Sequence, residues 1–187
     1  MLTQEEKGLH WQAIVFYAML LDKVGCIIAG GAARDILMGN APRDYDIWLF
    51  EDVSEKQVID AVQEAYIEYY KQYGECSVSV TDICSDGYPS DCGEREVTGI
   101  DFCIKVDFNG ILIDIIKLVR EEGKDIGIHD IFNSFDFPCN QFALLADSRV
   151  VGIGHLNTKQ VAQRKLCTNR LDKLRSKLPD FEFIDLH

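Results

Sequence analysis

The chain has 187 residues, of which 47% are hydrophobic, and a formal net charge of −12. One domain, or one domain with an appendage, is the expectation; the hydrophobic fraction excludes the disordered class, and the acidic balance argues against a general affinity for nucleic acid. No apolar run reaches the roughly 20 residues of a membrane span, and the N-terminal MLTQEEKGLHWQ lacks the basic start and apolar stretch of a signal peptide, so a cytoplasmic location is expected. The seven cysteines, an odd number, fit a reducing compartment. Cys76, Cys84 and Cys92 recur every eight residues without a C-x-x-C pair, and structural zinc is not expected there.

In chain order, residues 4–23 read as an amphipathic helix. Leu9, Ala13, Phe16, Leu20 and Val24 form its stripe, and Thr3 and Glu6 are placed for a capping box. His10 and Trp11 are expected to pack. Residues 26–50, CIIAGGAARDILMGNAPRDYDIWLF, organise the chain. A short apolar run breaks at Gly30 and Gly31, residues 32–38 suit a helix, residues 39–42 turn, and a second apolar run carries Asp44 and Asp46: strand, glycine turn, helix, turn, strand. Adjacent glycines open backbone dihedrals closed to other residues and let a phosphate approach main-chain N–H groups, and the following helix points its N-terminus there. On the second strand Asp44 and Asp46 share one face, with Cα atoms roughly 6.6 Å apart, while Tyr45, Ile47 and Leu49 share the other. Such a pair can hold hard cations, magnesium being the natural guest.

Residues 54–73 read as a second helix, with Ser54 as N-cap and Gly74 as stop; Val58, Ala61, Val62, Ala65, Tyr69 and Tyr73 mark its buried side. Residues 77–83 alternate like a strand, and 85–93 are loop by composition. Asn109-Gly110 between two apolar runs is a strong hairpin signal. The returning run, 111–119, is apolar except for Asp114 and Lys117. A carboxylate there is costly to bury unless paired or bound to a cation, so Asp114 needs a partner. A polar stretch, 120–130, turns into a short helix. Residues 159–177 carry seven basic residues against one acid, Asp172, for a net +6 that leaves −18 elsewhere. That end is either a contact for a polyanion or a solvated face balancing an acidic body. It forms a basic helix broken at Pro179.

The stretch GGAARDILMGNAPRDYDIWLF resembles the head-domain motif of the poly(A) polymerase and tRNA CCA-adding nucleotidyltransferases, within the polymerase-β-like superfamily. There a GG-x-x-RD helix and a small loop lead into a D-x-D strand; Gly30, Gly31, Arg34, Asp35, Gly39, Pro42, Asp44 and Asp46 match in order. The resemblance implies an α+β fold, a small mixed or antiparallel sheet with helices packed on it. It implies a head at residues 1–158, the N-terminal helix included, and a basic helical appendage at 159–187. The family's base-reading and tRNA-holding helical domains have no room in 187 residues.

The family's third carboxylate sits beside the D-x-D pair on a neighbouring strand. Asp114 matches it best, with Asp101 and Asp107 as competitors. Residues 135–166 resemble the family's later R-D-F-x-x-N-A segment, followed by a two-strand exchange and a short helix; Asp136, Phe137 and Asn140 match. Phe135 replaces the arginine that helps hold the nucleotide, and Pro138 and Gln141 also depart. Lys105, Lys117 and Arg43 are possible substitutes for that arginine.

The implied activity is metal-dependent transfer of NMP from an NTP, ATP among them, to a hydroxyl, with an RNA 3′ end as first acceptor. Asp44, Asp46 and Asp114 would bind Mg2+ or Mn2+ and carry catalysis. Gly30, Gly31, Arg34 and Arg43 would hold phosphates, with Asp35 fixing Arg34 or the helix start, and Asn140 would reach the ribose. Lys173, Arg175 and Lys177 would touch RNA or tRNA. The alternatives are a toxin-like or regulatory transferase that labels tRNA, protein or a small molecule, and a head that binds nucleotide or a partner without turnover.

Overall fold

A computed structural model describes residues 3–85, 99–122, 124–145, 147–163 and 168–185. The first helix, α1 (Gln4–Val24), begins with the expected capping box: Glu6 N–H donates to Thr3 Oγ1 at 3.1 Å, and Thr3 N–H donates to Glu6 Oε2 at 2.6 Å. It ends where Gly25 turns left-handed at φ 51 and donates its N–H to the Leu21 carbonyl. Then come β1 (Cys26–Ala29), α2 (Gly31–Leu37), β2 (Asp44–Leu49) and α3 (Glu55–Tyr73). Ser54 caps α3, with Gln57 in the reciprocal position. The antiparallel trio β3 (Val78–Ser85), β4 (Ile100–Phe108) and β5 (Ile111–Leu118) follows. The β4–β5 turn is the expected one, with Asn109 and Gly110 at φ 52 and 79, values asparagine and glycine tolerate best.

The remaining elements are short. They are α4 (Ile128–Asn133), a 3-10 turn (Pro138–Asn140), β6 (Phe142–Leu144), β7 (Val150–Gly152), β8 (Lys159–Val161), α5 (Thr168–Lys177) and β9 (Glu182–Ile184). The main sheet is mixed and seven-stranded, in the order β3-β4-β5-β2-β1-β6-β7. Among the described residues its one parallel pair is β2 with β5; the small second sheet pairs β8 with β9, also parallel. The α+β class is as expected.

The two faces of the sheet differ. One is covered by α1 and α3 over a large core that includes Phe16, Leu20, Tyr45, Ile47, Leu49, Val58, Val62 and Phe108. The opposite face carries a smaller cluster of Ile27, Trp48, Cys103, Ile116, Phe132 and Phe135. Alternation along β2 puts Asp44 and Asp46 on this second face with Trp48. A third cluster joins Phe137 and Cys139 to Ala162, Leu171, Leu174, Leu178 and Phe183, so the C-terminal segment is packed down next to the 3-10 turn.

Several sequence expectations are corrected. Leu9, Trp11 and Tyr73 are 41%, 49% and 43% exposed, and Trp11 meets Tyr73 edge to face at 5.1 Å. In place of a short helix after the β6–β7 exchange, residues 159–161 form β8, held by hydrogen bonding to β9, a strand that follows the Pro179 break and that alternation over three residues could not reveal. The loop expected at 85–93 lies, beyond Ser85, outside the described residues.

Candidate active site

The register of β2 and β5 builds the site. Asp46 lies directly opposite Asp114 across the parallel pair, and Asp44 lies opposite Leu112. Neighbouring strands sit about 4.8 Å apart, and residues in register point to the same face. Asp46 and Asp114 therefore share one surface, 68 positions apart in sequence. The two competitors are engaged elsewhere: Asp107 Oδ1 accepts the Gly110 N–H at 2.8 Å, and Asp101 pairs with Lys117 at 3.2 Å.

The glycine turn stands at the edge of this surface. Gly30 has φ 94 and ψ −136, a conformation that L side chains rarely adopt, and a Cβ there would lie 3.0 Å from the Phe135 ring and 3.3 Å from Asp46 Oδ2. Gly31 is helical and opens α2. The Gly30 N–H is used in pairing with the Phe142 carbonyl at 2.9 Å, so the amide donors of the turn begin at Gly31.

Arg34 is 5% exposed and ties the turn to the rest of the site. Its Nε and Nη2 donate to Asp35 Oδ1 at 2.8 and 2.7 Å, and its Nη1 donates to Asn140 Oδ1 at 2.5 Å. As placed, Arg34 and Asn140 clasp α2 to the 3-10 turn, and Asp35 fixes Arg34 as expected. Phe135 packs edge-on against Trp48 at 5.4 Å and walls the carboxylates with an aromatic ring. The indole Nε1 of Trp48 is buried without a hydrogen-bond partner among the described residues.

Two lysines reach the carboxylates. Lys105, opposite Asp114 on β4, donates to Asp114 Oδ2 at 2.9 Å, which supplies the partner that Asp114 needed. Burial pulls the Lys105 ammonium down, and the hydrogen bond and charge of Asp114 outweigh it, so the pKa is raised. Lys177, from α5, lies 3.5 Å from Asp44 Oδ2. Lys117 points to the other face, where it donates to Asp52 Oδ1 at 2.8 Å and the Val53 carbonyl at 3.0 Å. Arg43 is exposed just before β2, and Lys173 and Arg175 are exposed on α5. Cys103 lies near this surface, but burial first, then the Asp114 charge, pushes its thiol up, which disfavours a thiolate nucleophile. Of the three spaced cysteines, Cys76 and Cys84 are partly buried and Cys92 lies outside the described residues.

Asp44, Asp46 and Asp114 do not close into a three-ligand cluster; no group of three or more His, Cys, Asp or Glu stands in metal-holding arrangement among the described residues. The donor chemistry nevertheless suits magnesium. Asp46 and Asp114 offer hard oxygens from one surface, and that ion usually takes one or two carboxylates and completes its shell with water and substrate phosphate. Sequence reasoning missed Trp48, the Phe135 wall and the pairing of Lys105 with Asp114; Lys105 was named only as a substitute for the arginine that Phe135 replaces. The alternation that paired Asp44 with Asp46 also put Trp48 on that face, whereas the Lys105 contact needed the β4–β5 register.

A sequence profile of the Gabija anti-defense 2 (Gad2) family matches residues 3–163. The chain belongs to this family. The match covers β1, α2, β2 and β5, and so Asp44, Asp46 and Asp114. No curated protein matches the Gad2 chain in sequence. Among solved structures, it is similar to a CCA-adding enzyme in complex with CTP, with a TM-score of 0.50 and 16% identity over 93% of this chain and 40% of that one. A Bacillus stearothermophilus CCA-adding enzyme with CTP gives 0.45 and 14% identity over 76% of this chain and 29% of that one. A tRNA nucleotidyltransferase with a primer tRNA and an incoming ATP analogue gives 0.42 and 18% over 74% and 34%. The Gad2 chain thus spans 29% to 40% of the lengths of these three proteins. Its α+β fold is similar to that of part of the CCA-adding enzyme. No helix among the described residues is long and apolar enough to cross a membrane.

Proposed function

We propose that this Gad2 chain is a metal-dependent nucleotidyltransferase that moves NMP from an NTP to a hydroxyl acceptor, and that this activity serves the anti-defence role named by its family. The observation that carries the reading is the register of Asp46 with Asp114 beside the Gly30 turn. A CCA-adding enzyme that shares the fold is described with CTP, which supports an NTP as ligand. An RNA 3′ end is the first acceptor to test, given that enzyme's name and the basic residues of 159–177. We treat 1–158 as the transferring head and 159–187 as its appendage.

In this reading the triphosphate lies along the Gly31 end of the turn, close to the surface of Asp46 and Asp114. Asp46 and Asp114, with Asp44 beside them on β2, would hold Mg2+ or Mn2+ through one or two carboxylates and substrate phosphate, and the ion when bound would neutralise charge on the phosphates and acidify the attacking hydroxyl. The acceptor oxygen bonds to the α-phosphorus while the bond to the β-phosphate oxygen breaks, and pyrophosphate leaves. Asp114 takes the acceptor's proton, and Lys105 fixes the orientation of that carboxylate. Arg34 and Asn140 act by position, holding the glycine turn against the 3-10 turn. Phe135 and Trp48 keep water from one side of the reacting atoms.

A second reading, a nucleotide- or partner-binding head without turnover, is favoured by the ion pairs of Asp114 with Lys105 and Asp44 with Lys177. One experiment separates the two. The full chain is incubated with each α-labelled NTP, Mg2+ or Mn2+, and total RNA or cell extract, beside the Asp44→Ala/Asp46→Ala variant. Label transferred by the wild type alone supports the transferase, and nuclease or protease sensitivity names the acceptor class. Metal-dependent NTP binding without transfer supports the second reading.

A further inference from the structure

The geometry points to Lys177 as a phosphate-binding residue of this site, contacting the β- or γ-phosphate of the bound NTP; the inference rests on the nucleotide-binding reading above. Lys177 ends α5, and its backbone is firmly held. Leu171, Leu174 and Leu178 are buried with Phe137, Cys139, Ala162 and Phe183, and the chain continues into β9, which pairs with β8. Phe137 precedes and Cys139 belongs to the 3-10 turn whose Asn140 clasps Arg34. Packing therefore runs from the C-terminal helix to the glycine turn, and it brings Lys177 to the D-x-D strand.

That residue is held weakly at its tip. The Lys177 side chain is 26% exposed, and its Nζ is 3.5 Å from the half-exposed Asp44 Oδ2. Such a partly exposed pair contributes little to stability. A hydrogen bond between an ammonium and a phosphate is charge-assisted on both sides and stronger. The ammonium can leave Asp44 for an incoming phosphate at little cost while its stem stays packed.

Of the other described cations near the site, Arg43 is exposed just before β2, while Arg34, Lys105 and Lys117 are committed elsewhere. Arg34 is buried with its donors on Asp35 and Asn140. Lys105 is 2.9 Å from the largely buried Asp114, and Lys117 faces the opposite side of the sheet. Arg175, two positions from Lys177 and so about 200° around the helix, is 53% exposed and pairs with Asp172 at 3.3 Å.

The test is equilibrium binding of a non-hydrolysable NTP analogue, and separately of the matching NMP, to the full chain with Mg2+. The proteins are wild type, Lys177→Gln, Lys177→Arg and Arg175→Ala, each with its thermal midpoint measured. Loss of one charge-assisted hydrogen bond weakens binding roughly tenfold or more. Lys177→Gln should show that loss for the NTP with NMP affinity unchanged, Lys177→Arg should restore most of it, and Arg175→Ala should match wild type. The proposal is overturned if Lys177→Gln binds the NTP like wild type, if NTP and NMP weaken equally, or if only affinity for an RNA oligonucleotide falls, which would make Lys177 an acceptor contact. A wild-type chain that binds no NTP would overturn the nucleotide-binding reading together with this one, so the two failures are distinguishable.

Discussion

Alanine at Gly30 and alanine at Gly31 should move stability in opposite directions. At Gly30 the backbone sits at φ 94 and ψ −136, where a side chain costs about 1–3 kcal/mol. The new Cβ would also lie 3.0 and 3.2 Å from two Phe135 ring atoms and 3.3 Å from Asp46 Oδ2. Phe135 is 9% exposed and wedged against Trp48, so it has little room to retreat, and about 1 kcal/mol of overpacking adds to the backbone strain. The expected loss is about 2–4 kcal/mol. At Gly31 the backbone is helical and the nearest atom, Arg34 Nη2, is 3.6 Å away, an ordinary contact. Alanine is preferred to glycine in a helix by about 0.5–1 kcal/mol. At about 2–4 °C per kcal/mol for a chain of this size, Gly30→Ala should lower the thermal midpoint by roughly 4–16 °C and Gly31→Ala should raise it by about 1–4 °C. Far-UV circular dichroism on heating, with urea midpoints at constant m-value, measures both. Equal losses at the two positions, or no loss at Gly30, would refute the reasoning.

Arg34→Lys cannot reproduce a fork that holds Asp35 and Asn140 together, and it should cost about 2–4 kcal/mol in urea unfolding; a loss below about 1 kcal/mol would show that the clasp is dispensable. Asp46→Asn should reduce nucleotidyl transfer by at least about a hundredfold, since it removes one of the two carboxylates in register; wild-type turnover would remove Asp46 from the chemistry. Lys105 and Lys117 both have pKa values raised above the ordinary 10.5, because hydrogen bonds and charge from Asp114, and from Asp52 and Asp101, outweigh burial. The folded state binds these protons more tightly than the unfolded chain does, so the stability they confer is full below about pH 10 and fades as pH rises through the folded values. Urea midpoints should fall as pH rises past the ordinary lysine value of about 10.5, and Lys105→Met should shrink that fall; an unchanged pH profile in the variant would contradict the assignment.

Local structure was readable wherever a short signal decided it. Thr3 and Glu6 set the start of α1, Ser54 and Gly74 bounded α3, and Asn109-Gly110 placed the β4–β5 hairpin. The Gly30–Gly31 break and the spacing of Asp44 and Asp46 gave the strand–turn–helix–strand unit at the centre of the candidate site. Asp114 could be singled out because a carboxylate in an apolar run demands a partner. That the partner is Lys105, and that Asp114 stands opposite Asp46, depends on strand register across the sheet, which no local pattern encodes. The same limit hid the return of Lys177 to Asp44 over 133 positions and the pairing of β8 with β9. Arg34 read as a phosphate ligand because its fork suits one, yet burial beside Asn140 turned that fork inward. Leu9 and Tyr73 were assigned to packing by helical period, yet they are 41% and 43% exposed, since period marks a face of the helix and not how far the neighbouring elements cover it.

Nucleotidyl transfer at the Asp46–Asp114 surface is tested most directly by giving the wild-type chain and Asp46→Asn the same NTP labelled at either the α or the γ phosphate, with Mg2+ and total RNA, and separating acceptor from small products. The account requires α label on the acceptor and γ label in pyrophosphate for the wild type, and neither for Asp46→Asn. Label from the γ position on the acceptor, or undiminished α transfer by Asp46→Asn, would contradict it.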